Sequence, residues 1–162
     1  MHFQGTHDAR GLRIAIVVSR FNDFVTDRLL TGATEALGSA GAAADSVDVI
    51  GVPGAYEVPQ AARAAAATGR YDAVVCLGCL IRGETPHFEY ISDAVSHGIM
   101  AASAETDVPM SFGVLTTNSA EQALERAVPG HANKGWEAAL AAVEMATLRR
   151  ALRPAGTGGV TT

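Results

Sequence analysis

Cysteine, positive charge and long apolar stretches are all scarce in this chain, and each scarcity closes off a class of function. No apolar run in the 162 residues approaches the roughly 20 that a membrane-spanning helix needs, so no membrane partner is expected. The first residues, Met1-His2-Phe3-Gln4-Gly5, lack the basic and apolar regions of a secretory signal, which makes a cytoplasmic location the expectation. Lys and Arg number 12 against 17 Asp and Glu, with no basic cluster, and that disfavours nucleic acid as a partner.

The two cysteines form a Cys76-x-x-Cys79 pair, a spacing found in redox and zinc motifs. They fall in or at the end of an extended apolar run, where residues three apart lie about 10 Å apart and point to opposite faces. A disulfide needs Cα atoms within about 7 Å. No second Cys or His pair is spaced to complete a zinc site, so both cysteines read as small strand residues and no metal is expected.

What the chain has instead is 48% apolar residues, in a length that suits one domain, residues 1–162. Four near-continuous apolar runs recur at residues 12–18, 47–52, 73–77 and 110–115, the pattern of strands covered on both faces. Helical spacing fills the intervals. Val25, Leu29, Leu30, Ala33 and Leu37 share one face, and Trp136, Leu140 and Val143 share another in the last helix. Ser119-x-x-Gln122 reads as a capping box. The alternation predicts a three-layer α/β/α sandwich, flavodoxin-like, with a four-stranded parallel sheet and helices on both faces. Residues 1–11 fall outside the pattern as an arm, and 154–162, with Gly156-Thr157-Gly158-Gly159, form a tail expected to be disordered.

In such sheets ligands bind beyond the carboxyl ends of the strands. The segments there are 19–22, 53–57, 78–87 and 116–118, all rich in glycine, proline, polar or aromatic residues. The most informative is Ile81-Arg82-Gly83-Glu84-Thr85-Pro86-His87-Phe88. A glycine, a hydroxyl and a proline at a strand-to-helix turn build a place where backbone N–H groups converge on an anion. His87, at the start of the following helix, could move protons beside it.

Each candidate has a plain structural alternative. Phe21 is either core or a stacking surface for a planar ligand. Glu57 is either a solvated carboxylate of a helix's first turn or a partner for a ligand hydroxyl or N–H. Thr85 is a turn threonine or an anion ligand, and Glu84 offers an anion only its backbone N–H. His87 by itself is a helix-start histidine as readily as a proton carrier. His97 and His131 lack such a loop, and Arg126 reads as a surface arginine that sequence order does not bring to the turn.

Taken together, Ser19-Arg20-Phe21-Asn22, Pro53-Gly54-Ala55-Tyr56-Glu57, the Gly78 to Phe88 segment, Phe112-Gly113-Val114-Leu115-Thr116-Thr117 and Asn133-Lys134-Gly135-Trp136-Glu137-Ala138-Ala139 resemble the lumazine synthase family. The likeness runs from about residue 11 to 152 without a large gap. It implies a transferase of riboflavin biosynthesis that makes 6,7-dimethyl-8-ribityllumazine without cofactor. It further implies that Phe21, Ala55, Tyr56, Glu57, Cys79, Leu80, Ile81 and Lys134 meet a ribitylaminouracil. Glu84, Thr85 and Arg126 would hold a butanone phosphate, and His87 would shuttle protons. Phe112 and Arg126 would arrive from an adjacent subunit. Homo-pentamers are implied, and the compact 127–134 connection favours their closure into a 60-subunit shell. Residues 1–10 would add a strand to a neighbour's sheet, and riboflavin synthase is a further partner that the resemblance admits.

Two other classes stand beside this one. A flavodoxin-like module that binds flavin without turnover would need a glycine-bearing phosphate loop after strand one, and residues 19–23 contain no glycine. A shell-forming homologue with a decayed site would not need Phe21, Glu57, His87 and Arg126 together.

Overall fold

The computed structural model describes residues 1–154, so all of the expected tail except Pro154 lies outside the described residues. Strands β1 (Ile14–Ser19), β2 (Val47–Val52), β3 (Ala73–Ile81) and β4 (Met110–Thr117) alternate with helices α1 (Asp23–Ser39), α2 (Val58–Ala67) and α3 (His87–Thr106). Two more helices, α4 (Ala120–Glu125) and α5 (Lys134–Ala151), follow β4. The four strands form one parallel sheet in the order β2-β1-β3-β4. The sandwich architecture expected from the sequence is the one observed.

Side-chain alternation along the strands divides the core in two. Ile14, Ile16, Val18, Val75, Leu77 and Cys79 face α1 and α5, while Ala15, Val17, Val74 and Cys76 face α2 and α3. The two cysteines are free, buried and on opposite faces, as the extended run predicted. Burial pushes the Cys76 thiol up to about 12 and that of Cys79 up to about 11. An unfolded thiol ionises near 9, so the unfolded chain sheds these protons first. Their contribution is complete below pH 9 and is lost as pH rises toward 11–12, so the thermal midpoint should fall across that window. A Cys76→Ala, Cys79→Ala variant should lose part of that alkaline slope. In the native wild type at pH 8 neither thiol should react with a disulfide reagent within minutes.

The helix faces match the predicted spacing in α1, where Val25, Leu29, Ala33 and Leu37 are buried and Leu30 is half-buried. In α5 the expected Trp136, Leu140 and Val143 do face the core, but the buried face is wider than the spacing predicted. It consists of Gly135, Ala138, Ala139, Ala142, Val143 and Ala146, with Trp136 and Leu140 half-buried beside it. Small residues win because α5 lies close against α1: a Cβ at Gly135 would overlap the Leu29 carbonyl, and one at Gly32 would overlap the Asn133 side chain. Buried Asn133 fixes this approach. Its Oδ1 accepts from the Gly135 and Trp136 N–H groups at 2.8 and 3.2 Å, and its Nδ2 donates to the Arg28 carbonyl at 3.1 Å.

The capping box is half as expected. Ser119 Oγ accepts from the Gln122 N–H at 3.2 Å, but Gln122 Oε1 reaches back to the Asn118 N–H at 2.8 Å rather than to that of Ser119. The arm, residues 1–11, contains no strand and lies on its own chain. Thr6 N–H donates to Thr147 Oγ1 at 2.8 Å, Ala9 N–H donates to the Ala40 carbonyl at 2.9 Å, and Ala9 is fully buried. Among the described residues no helix is long and apolar enough to cross a membrane.

Candidate active site

β1 and β3 pair only as far as Val18 and Leu77, whereas β3 continues alongside β4 to Ile81. The sheet therefore opens beyond the end of β1, next to the point where strand order reverses, which is where open α/β sheets bind ligands. A cavity of about 470 Å³ fills the opening.

Backbone bonds bring three loops to this cavity. Arg20 N–H donates to the Val52 carbonyl at 2.8 Å and Phe21 N–H to that of Pro53 at 3.0 Å, which places Phe21 beside the Gly54–Glu57 turn. Asn22 adopts a left-handed conformation (φ 63°), and its Nδ2 donates to the Cys79 carbonyl at 2.9 Å. That bond ties the β1 loop to β3. Phe21 is 69% exposed and Tyr56 63% exposed, so neither is core; both leave apolar rings open at the cavity.

The strand register decides which backbone groups of β3 face the opening. The Cys79 carbonyl points to the β1 side, toward Asn22, and Arg82 N–H points to the β4 side, donating to the Thr117 carbonyl at 2.8 Å. Successive backbone groups alternate sides, so those of Ile81 face the opening and those of Leu80 face β4. Leu80 and Ile81 both line the cavity, whereas Cys79 is buried behind it with its carbonyl engaged by Asn22.

The turn at residues 83–86 follows, and α3 begins at His87 itself. Gly83, Thr85, His87 and Phe88 line the cavity; Glu84 is exposed on the turn beside it. Among the described residues the N–H groups of Gly83, Glu84 and Thr85 have no hydrogen-bond partner. They lie at the positive end of a 20-residue helix, so an anion would find donors and a favourable dipole together. Ala55, Tyr56 and Glu57 complete the lining from the β2 side.

The remaining expected residues lie elsewhere. Phe112, Arg126 and Lys134 line a second cavity of about 530 Å³ along the outer edge of β4 and the start of α5. The Lys134 N–H donates to the Arg126 carbonyl at 2.9 Å, holding the two cations on one loop. Arg126 Nη1 donates to the Gln122 carbonyl at 2.9 Å, and Lys134, the chain's one lysine, pairs with Glu137 at 2.9 Å. Phe112 is half exposed on the edge strand. The single chain thus assembles Phe21, Ala55, Tyr56, Glu57, Leu80, Ile81, Thr85 and His87 and keeps Phe112, Arg126 and Lys134 apart from them.

Asn22, Gly54 and Ile91 also line the first cavity, and Glu137 lines the second. Ile91 carried a signal, being one turn after His87, and Glu137 is one turn after Lys134. Asn22 carried none beyond its place in a loop. His97 Nδ1 lies 2.8 Å from the Asp93 carbonyl of its own helix, and His131 stacks on Trp136 with ring centroids 4.5 Å apart. Neither belongs to the cavity.

These features define an open α/β protein with a cavity at its topological switch point, bordered by a turn of unpartnered N–H groups and a helix-start histidine. The family model for 6,7-dimethyl-8-ribityllumazine synthase matches residues 11–150. The chain belongs to the lumazine synthase family, and so to the enzymes of riboflavin biosynthesis.

Proposed function

We propose that the protein condenses 5-amino-6-(D-ribitylamino)uracil with 3,4-dihydroxy-2-butanone 4-phosphate to 6,7-dimethyl-8-ribityllumazine, releasing phosphate and water. The observation that carries this reading is the division of the site. One cavity offers aromatic faces, Glu57, an anion-binding turn and His87, but none of its lining residues is Lys or Arg. The other offers Phe112, Arg126 and Lys134 at an open sheet edge. Joined between adjacent copies, the two halves hold a planar amine and a phosphate ester side by side.

In this reading Phe21 and a neighbour's Phe112 sandwich the pyrimidine, and Glu57 and the backbone of Ala55, Tyr56 and Ile81 receive its polar edge and ribityl chain. Glu84 and Thr85 N–H groups and a neighbour's Arg126 hold the phosphate, and the same neighbour's Lys134 meets the ribitylaminouracil. The amine attacks the ketone and water leaves to give a Schiff base; loss of the proton at C3 expels phosphate from C4, the resulting enol tautomerises to a ketone, and the ribitylamino nitrogen closes the ring on it with loss of a second water. His87 carries the protons. Both substrates are reactive, so alignment supplies most of the acceleration. Joining the halves requires adjacent copies, and the family resemblance implies that these form a homo-pentamer, closed further into a 60-subunit shell, with β2's open outer edge available to a neighbour's arm. Sedimentation at neutral pH checks this, and a mass near five chains would leave the pentamer without the shell.

Incubation with both substrates should produce the lumazine chromophore; no absorbance change with folded protein would refute the assignment. Arg126→Ala should raise the KM of the phosphorylated substrate by roughly 10–100-fold, the size of a lost charge-assisted contact, and leave that of the uracil nearly unchanged. Mixed and reassembled with His87→Ala protein, it should regain activity, because some sites then combine two intact halves. No recovery after verified subunit exchange would place Arg126 and His87 in the same chain's site.

A further inference from the structure

Arg82 is the cation nearest in sequence to the 83–86 turn, and direct pairing with a bound anion is the role its position invites. The geometry points to a different one. We propose that Arg82 is a positioning residue, a clamp that holds the anion-binding turn in shape without touching the anion.

Its guanidinium is occupied on three sides. Nε donates to Asn118 Oδ1 at 3.0 Å, Nη1 pairs with Glu89, and the guanidinium carbon stands 4.6 Å from the centroid of the Phe88 ring. Arg82 does not line the cavity, although Gly83, Thr85, His87 and Phe88 do. Its backbone N–H meanwhile donates to the Thr117 carbonyl at 2.8 Å. One residue therefore ties together the end of β3, the loop after β4 and the first turn of α3.

Those anchors bracket the turn, and among the described residues the turn has little else. Gly83, Glu84 and Thr85 N–H groups have no protein partner, which is what leaves them available to an anion. A turn whose donors are kept open cannot be stiffened by its own hydrogen bonds. The stiffness has to come from its ends, and Arg82 and the residues it grips, Phe88 and Glu89, are those ends. Only a planar fork can lie on a ring while donating in two in-plane directions, so lysine would not reproduce the arrangement. The Glu89 carboxylate also engages one of the guanidinium's donors, so that this donor is not turned toward the cavity.

The effect on the reaction rests on the condensation proposed above; the effect on the turn does not. Arg82→Lys keeps the charge and breaks the fork, and Asn118→Ala keeps Arg82 and removes one anchor without changing charge. Side-chain exposure of 47% at Arg82 makes both variants compatible with folding. In each, exchange of the Glu89 and Tyr90 amides, which donate to the Pro86 carbonyl where the turn meets α3, should quicken by about tenfold while that of β1 and β3 stays unchanged. The KM of the phosphorylated substrate should rise by about tenfold, with kcat and the KM of the uracil within about twofold. Unchanged exchange at Glu89 and Tyr90 in both variants would overturn the proposal, whether or not the protein makes lumazine. So would full retention of inorganic phosphate inhibition in Arg82→Lys together with its loss in Arg82→Gln, the signature of direct charge pairing.

Discussion

Alanine at position 87 is expected to slow lumazine formation by roughly tenfold to a thousandfold, from below the usual general acid–base contribution to about its middle. The physical reason for a bounded effect lies in what the substitution leaves behind. His87 is exposed at the first residue of α3, so its removal disturbs neither the core nor the helix. Phe21, Glu57 and the turn donors stay in place, and alignment of two intrinsically reactive substrates persists without it. Steady-state rates with both substrates saturating report the loss directly. Full activity across the pH range would reduce His87 to a residue that merely begins a helix.

The largest structural effect is expected at Gly135. Adding one methyl there drives a carbon into the Leu29 carbonyl and crowds Asn133 Oδ1, the atom that caps α5. Backbone cannot yield as a flexible side chain can, so α5 has to move off α1 or its first turn has to unwind. Overpacking commonly costs about 1–3 kcal/mol and loss of an N-cap about 1 kcal/mol more, so Gly135→Ala should destabilise by about 3 kcal/mol or more. Gly38 is the control. It lies in α1, and a methyl added there would meet nothing within 4 Å, so Gly38→Ala should be neutral or stabilising by up to about 1 kcal/mol. Urea titration of the two variants beside wild type separates them, and equal midpoints would show that the α1–α5 contact is not close enough to matter. Because Lys134 and Trp136 flank Gly135, a shifted α5 would also displace the second cavity's cations.

The architecture and most of the first cavity were legible in the sequence, and particular residues show why. Near-continuous runs at 12–18, 47–52, 73–77 and 110–115 are what parallel strands buried on both faces require, and chain order plus the right-handed crossover rule leaves few ways to arrange them. The cysteine spacing settled itself by the two-residue period of a strand. The Gly83–Thr85–Pro86–His87 segment suggested a turn with open N–H groups because those residue types in that local order build one whatever the rest of the chain does, and the N–H groups of residues 83–85 are indeed unpartnered.

Tertiary structure decided everything that depends on two segments meeting. Period alone put Trp136, Leu140 and Val143 on the buried face of α5, yet alanines occupy most of it, because the closeness of α1 selects small volume over hydrophobicity. Asn22 had only loop polarity to recommend it until the register of β3 set the Cys79 carbonyl before it. Arg82 stands beside the turn in sequence, but Phe88, Glu89 and Asn118 close around it and keep it from the cavity. The separation of Phe112, Arg126 and Lys134 from His87 was invisible to spacing as well, since it follows from β4 being the edge strand of the order β2-β1-β3-β4. Local chemistry is written in periods and turn residues, which a sequence displays directly. Which surfaces face one another is set by packing between segments far apart in the chain, and no local period encodes that.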